Sequence, residues 1–398
     1  MECIIRTLQA PPPQDQSIEV VERKGIGHPD TICDAIAERI CVRLSRYYLQ
    51  RFGAILHHNV DKILLCGGSA HPAFGGGEVQ EPLEFYLSGR ATGQYRGEKI
   101  PVGDLAVETC RTWLQQHLPE LDIERHVRIV PRFRAGSSDL TGLFQRAGRP
   151  SPACNDTSCG AGFAPFTPLE RAVLAIERTL NSPAAKERCP AIGQDIKVMG
   201  VRHGLQVQFT IGCAMIGRHL GGMQEYLNAK EEVSQIASAA AGRFFDLPVE
   251  VIVNAADDPD AGQIYLTVTG TSAESGDDGE VGRGNRVSGL ITPYRPMALE
   301  AAAGKNPVSH VGKLYSLAAT AIATRAQELA NVRSATCVLV SQIGRPLDDP
   351  LIVDLGVYLD SATRSVELTP VLETAVQSEL SKFPQLQAAL LAESVPIY

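Results

Sequence analysis

Residues 263–286 read QIYLTVTGTSAESGDDGEVGRGNR. The opening residues alternate, with Ile264, Leu266 and Val268 on one side and Tyr265, Thr267 and Thr269 on the other. That is the period of a strand with one apolar face, expected over 263–271. The rest cannot extend it. From Gly270 to Arg286 the chain holds five glycines, four acids and two arginines, with no large apolar side chain to bury. It forms neither a core strand nor a stable helix. A strand therefore delivers the chain into a flexible loop carrying both signs of charge. Composition alone leaves two readings, a solvated turn or a site that grips a metal and phosphates.

Outward from this stretch the same units recur. Strands are expected at VDKILLCGG (60–68), within IGQDIKVMG (192–200), at VQFTIGCAMI (207–216), VIVNAA (251–256) and CVLVSQI (337–343). Helices are expected between them. In residues 31–52, Ile32, Ile36, Ile40 and Leu44 recur every fourth position with charges opposite, an amphipathic pattern that Asp30 or Thr31 would cap. Thr167-Pro-Leu-Glu170 is a capping box with proline at the first helical position, and Asn181-Ser-Pro ends that helix near Leu180. Further helices are read at 223–245 and 312–330, with a C-terminal helical region broken near Pro384, while HPAFGGGEV (71–79) reads as an irregular loop. Strands in pairs followed by helices imply an α+β fold, helices laid on sheet, rather than strict βαβ alternation.

The chain has 398 residues, 44% hydrophobic and 21% charged, which is enough for a large core. Its formal net charge of −8 argues against a nucleic-acid binder that works by neutralising phosphates. No apolar run is long enough to span a membrane. The ten cysteines lack metal-ligand spacing, so zinc is not expected, and reduced thiols in a cytoplasmic protein are the simplest reading.

Five loops combine glycine with carboxylate, hydroxyl, histidine or lysine. They are GIGHPDT (25–31), FGGGEV (74–79), RAGSSDL (134–140), NDTSCGAGFAP (155–165), and the pair GDDGEVGRGNR (276–286) with GKNPVSHVGK (304–313). Glycine lets backbone N–H groups approach phosphate oxygens, cations neutralise them, and aspartates hold a divalent ion between them. Neither a Walker A loop nor a complete GxGxxG is present, so a nucleotide site would have to be assembled from scattered loops. His28, between a glycine and a proline, is awkwardly placed for a core role. Asp30 is a helix cap or a metal ligand, and Asp277 with Asp278 a turn or a Mg²⁺ contribution. Lys197, inside an apolar strand, needs a partner if buried. Phe163 either packs or stacks on a base.

Taken together, VERKGIGHPDTICDAIAE (21–38), SGRAT (88–92), NDTSCGAGFAP, GQDIKVMGVR (193–202), YLTVTGTSAESGDDGEVGRGNRV (265–287), GKNPVSHVGKLY (304–315) and SQIGRPLDDP (341–350) resemble the archaeal-type methionine adenosyltransferases, or S-adenosylmethionine synthetases. The resemblance implies a single catalytic unit over 1–398, built of three intertwined α+β subdomains. It implies conversion of ATP and L-methionine to S-adenosylmethionine, phosphate and pyrophosphate, with Mg²⁺ and K⁺. It further implies a homodimer with active sites at the subunit interface.

By the same resemblance His28, Lys197, Arg283 and Lys305 fall at catalytic positions on the triphosphate. Asp30 and Asp278 fall at metal positions. Gly136, Ser137, Ser138 and Asp139 fall in the ATP-binding segment, and Asp156, Phe163, Asp277, His310 and Lys313 at other substrate-binding positions. The sequence departs from the archaeal pattern at Val60, Ala298 and Ser316. Two alternatives stay open on sequence: an adenosyltransferase for a methionine analogue, and a non-catalytic ATP-binding regulatory subunit.

Overall fold

The computed structural model describes residues 1–136, 152–359 and 365–398, with the side chains of 365–367 left aside. Ser137, Ser138 and Asp139 therefore lie outside the described residues. The fold is α+β.

Three mixed sheets carry the architecture. In the first, Glu2–Thr7 pairs in parallel with Ile352–Leu359, followed by antiparallel Val332–Val340 and Cys159–Ala164. In the second the order is Glu250–Val253, Gln206–Ile216, Ile192–His203, Ile18–Lys24. In the third it is Gly279–Glu280, His58–Cys66, Leu83–Ala91, Val127–Arg134. Each sheet draws neighbours from distant parts of the chain.

One face of each sheet is packed by helix. Pro29–Phe52 and Val102–His117 lie on the third sheet, Val311–Gln327 on the first, and Pro168–Leu180 with Met223–Ala241 on the second. The first and third sheets share one apolar core, and the second has its own. Ile32, Ile36, Ile40 and Leu44 are all fully buried in the larger core, each contributing about 1.5–3 kcal/mol. The Thr167–Glu170 capping box forms as expected, with Pro168 at the first helical position.

Four local expectations are corrected. His28, not Asp30 or Thr31, caps the first long helix, its Nδ1 accepting from Asp30 N at 3.2 Å. The FGGG loop belongs to a hairpin, Ser69–Ala73 with Gly76–Glu81, whose turn is tied to Gly217 and Leu220 by the Gly75 amide. The 263–271 segment pairs as strand only at Leu266–Thr267. Its hydroxyl side, Thr267, Thr269 and Thr271, is the buried one. Burial is possible because each hydroxyl is spoken for, Thr267 by Met215 O, Thr269 by the buried Glu274 and Thr271 by Gly27 O. Lastly, the helix Pro29–Phe52 buries part of its polar side too: Asp30, Asp34 and Glu38 are enclosed while Arg39, Arg43 and Arg46 face outward.

Candidate active site

The residues singled out from sequence fall into two clusters. His28 anchors the first. Because its Nδ1 accepts the Asp30 amide, the neutral imidazole carries its proton on Nε2. Burial lowers its pKa, against the pull of nearby Asp195, Asp30 and Asp277, so the neutral form is favoured. Asp30 is held on both oxygens, by Lys24 Nζ at 2.8 Å and Glu280 N at 3.0 Å. Lys24 Nζ also reaches Arg283 O at 2.9 Å, leaving the Arg283 side chain on the exposed loop.

Lys197 sits opposite Lys24 in the antiparallel register. It has the partner expected of it, a protein carboxylate, without being buried. It points to the open face of the sheet, 48% exposed, with Glu22 at 3.4 Å. Asp277 Oδ2 lies 2.9 Å from Ser272 Oγ, whose one proton it shares with Asp195, and Asp278 accepts from Gly67 N at 2.8 Å.

Asp195 completes this cluster and was not singled out from sequence. Only 4% exposed, it accepts from both the amide and hydroxyl of Ser272, at 3.0 and 2.6 Å. Burial raises its pKa, opposed chiefly by His28. The strand carrying it bulges between Ile192 and Ile196. There Gln194 O receives the Gly27 amide and the Asp195 amide bonds Gly270 O. The bulge thus locks the histidine loop to the acidic loop. Glycine is required here: a Cβ on Gly27 would come within 2.4 Å of Asp195 N. The legible signal was the Asp-x-Lys spacing in GQDIKVMG.

The second cluster surrounds His310, which caps the helix Val311–Gln327 just as His28 caps its own, Nδ1 accepting from Gly312 N at 3.3 Å. Burial, with Lys305, Lys313, Lys62 and Arg90 nearby, drives its pKa well down. The Lys305 ammonium lies between Glu300 and Asp61. Asp156 is exposed on the adjoining loop, where Asn155 receives the Val311 amide.

Two residues are enclosed by partners from the protein itself. Lys313 is fully buried, with Glu38 at 2.6 and 2.8 Å. Phe163 is 6% exposed beneath the Arg295 guanidinium, 4.3 Å above its ring. Arg295 in turn forms a solvent-excluded pair with Glu170. The neighbouring glycines serve close packing, since a Cβ on Gly160 or Gly162 would meet the helix Val311–Gln327 at 2.3 or 2.2 Å. Gly136 lines a cleft with Pro131 and Arg134.

A strand separates the two clusters. Gly279–Glu280 pairs with Leu65–Leu64 at one end of His58–Cys66, and Lys305 bridges to Asn59 near the other. Five residues of strand put them about 16 Å apart. No three metal-ligating side chains converge among the described residues. Asp278 keeps one oxygen without a partner among those residues. Mg²⁺ commonly takes only one or two carboxylates and completes its shell with phosphate oxygens and water, so this donor set fits a nucleotide-bound Mg²⁺. No described helix is long and apolar enough to cross a membrane.

Residues 2–394 match the family model for S-adenosylmethionine synthetase (AdoMet synthetase). The chain is 51% identical over 385 residues to a probable S-adenosylmethionine synthase of Aquifex aeolicus, covering 96% of each chain. It is 45% identical over 404 residues to the S-adenosylmethionine synthase of Hyperthermus butylicus, covering 99% of each. Among solved structures, an unusual S-adenosylmethionine synthetase from Campylobacter jejuni shares the fold. Its TM-score is 0.63 at 13% identity, over 94% of this chain and 90% of that one.

Proposed function

This chain belongs to the S-adenosylmethionine synthetase family and is a methionine adenosyltransferase, and on that premise we propose how its residues divide the work. ATP and L-methionine are the substrates. The thioether sulfur attacks the 5′ carbon of ATP in line, forming the sulfonium S–C bond as the C–O bond to triphosphate breaks. Water then cleaves the triphosphate to phosphate and pyrophosphate. No nucleophilic side chain is needed. The leaving group gathers negative charge, so catalysis rests on donors and cations already aimed at it.

The observation that carries the assignment is the His28 cap, which occupies Nδ1 and leaves the other imidazole nitrogen as an N–H donor, with Lys24, Asp30, Asp195 and Asp277 around the ring. His28 donates to the departing oxygen, and Lys197 and Arg283 bind the triphosphate. Asp30 and Asp278 would hold Mg²⁺ against phosphate oxygens, where it supplies charge neutralisation. K⁺ is proposed as a second ion. Asp195 and Asp277 orient the nucleoside end. Lys305, His310 and Asp156 form the other half of the site.

Along the strand of one subunit the two clusters are spaced about 16 Å apart, more than a single phosphate group spans. This supports a homodimer in which the Lys305 half of one subunit completes the His28 half of its partner. Each subunit acts as one catalytic unit of three interleaved subdomains, one around each sheet, in the cytoplasm. Mixing His28→Asn with Lys305→Ala protein tests the arrangement. Shared sites regenerate one intact site per mixed dimer and restore activity to two inactive preparations. No recovery, with mixed dimers demonstrated by mass, would refute sharing.

A further inference from the structure

Along the helix Pro29–Phe52, Asp30, Asp34, Glu38 and Cys41 follow at turn spacing, and all four are buried. Each bonds a backbone group of one of the two cation-bearing loops. Asp30 Oδ1 accepts from Glu280 N at 3.0 Å and Asp34 Oδ1 from Gly282 N at 2.9 Å. Glu38 Oε2 accepts from Gly304 N at 3.0 Å, and the Cys41 thiol donates to Lys305 O at 3.1 Å. The other edge of both loops is held by the strand His58–Cys66, through Val281 N to Ile63 O at 3.2 Å and Val60 N to Gly304 O at 2.8 Å.

The two supports agree in length. Eleven residues of helix between Asp30 and Cys41 rise about 16 Å, the same as the five residues of strand between Leu64, paired with Glu280, and Asn59, bridged to Lys305. Glycine is what lets the loops lie so close. A Cβ on Gly284 would meet Asp34 Oδ2 at 2.6 Å, and Gly304 has φ +76°. Two of the acids are neutralised by direct ion pairs, Asp30 by Lys24 and Glu38 by Lys313. Asp34 has no direct cation partner among the described residues. Its Oδ2 makes no hydrogen bond among those residues, and Asp34 lines a cavity of about 30 Å³ with Arg286 and Thr292.

We propose that Asp34, Glu38 and Cys41 are positioning residues that fix the Arg283 and Lys305 loops at a set spacing on one rigid helix. The proposal rests on Arg283 and Lys305 being triphosphate ligands. None of the three residues touches substrate; each acts through a loop amide or carbonyl.

The test combines amide exchange, read by mass spectrometry over 279–286 and 303–309, with kcat and KM for ATP and methionine. Asp34→Ala should speed exchange in 279–286 alone. It should lower kcat/KM for ATP roughly 10- to 100-fold, as a misplaced group does, with KM for methionine within about twofold. Asp34→Asn, which keeps the oxygen acceptor, should restore both. Glu38→Leu with Lys313→Met removes that rung without stranding a charge, and should speed exchange in 303–309 alone. Arg43→Gln, on the outward face, should change neither.

Unchanged exchange in both rung variants would overturn the ladder. Faster exchange with unaltered kinetics would overturn the positioning role and place the error in the ligand assignment of Arg283 and Lys305. Should Asp34→Ala fail to fold, the Glu38–Lys313 double variant decides on the same readouts.

Discussion

The Lys313 ammonium lies 2.6 Å from Glu38 Oε2, joining the two histidine-capped helices where solvent is excluded. Burial would strip the lysine of its proton, but Cys41 and Glu38 more than reverse this and hold its pKa above the ordinary value. Lys313→Met alone leaves Glu38 buried and unpaired, and should cost about 3–5 kcal/mol in denaturant unfolding. Glu38→Leu with Lys313→Met should recover most of that loss. A single variant as stable as wild type would show that the pair is not structural.

Asp34 makes stability depend on pH in a direction opposite to most carboxylates. Burial pushes its pKa up to about 7, against the Gly282 amide and Arg286. A folded-state pKa raised above the unfolded value contributes stability that is full below the unfolded pKa. That contribution is lost as pH rises through the folded one. Asp34→Asn should therefore gain on wild type between about pH 4 and 7, at about 1.4 kcal/mol per unit of difference, and hold that gain at higher pH. Unfolding curves at pH 5 and pH 8 measure it. A difference independent of pH would contradict the account.

His28 has two roles that one substitution separates. Asparagine is a good helix cap, so His28→Asn should keep the melting temperature close to wild type while lowering kcat by roughly 10²–10³, the usual cost of removing one transition-state donor. His28→Ala should lose both, with about 1 kcal/mol of stability. Full activity in the asparagine variant would remove His28 from the chemistry.

Phe163 tests packing against base stacking. Beneath Arg295 and beside Phe166, its ring is already covered. Phe163→Leu should lower stability by about 1–3 kcal/mol through lost packing and cation–π contact, with KM for ATP within about twofold. A raised KM for ATP at unchanged stability would favour contact with the adenine.

The fold was legible where local chemistry decides. Periodicity marked the helices, and Thr167–Glu170 marked its own cap, because these depend on neighbours in sequence. Strand pairing was not legible, since Glu2–Thr7 pairs with Ile352–Leu359 across the whole chain. Misreadings came where polar groups are buried against unseen partners. Thr267, Thr269 and Thr271 look like a solvent face until Glu274, Met215 O and Gly27 O appear opposite. Asp34 and Glu38 look like a charged helix surface until the glycine loops close over them. Lys197 was read as needing a partner, and Glu22 supplies one on the open face of the strand. In the site, His28 and the acidic loop were visible as composition. Asp195 was hidden because only a bulge brings it to Ser272.

The most direct test of the account is a product assay by mass spectrometry, with purified protein, ATP, Mg²⁺, K⁺ and methionine, repeated with ethionine and selenomethionine. The account predicts S-adenosylmethionine with matching phosphate and pyrophosphate, methionine preferred, and loss of product in His28→Asn. Nucleotide binding with no sulfonium product from any of the three thioethers would contradict it.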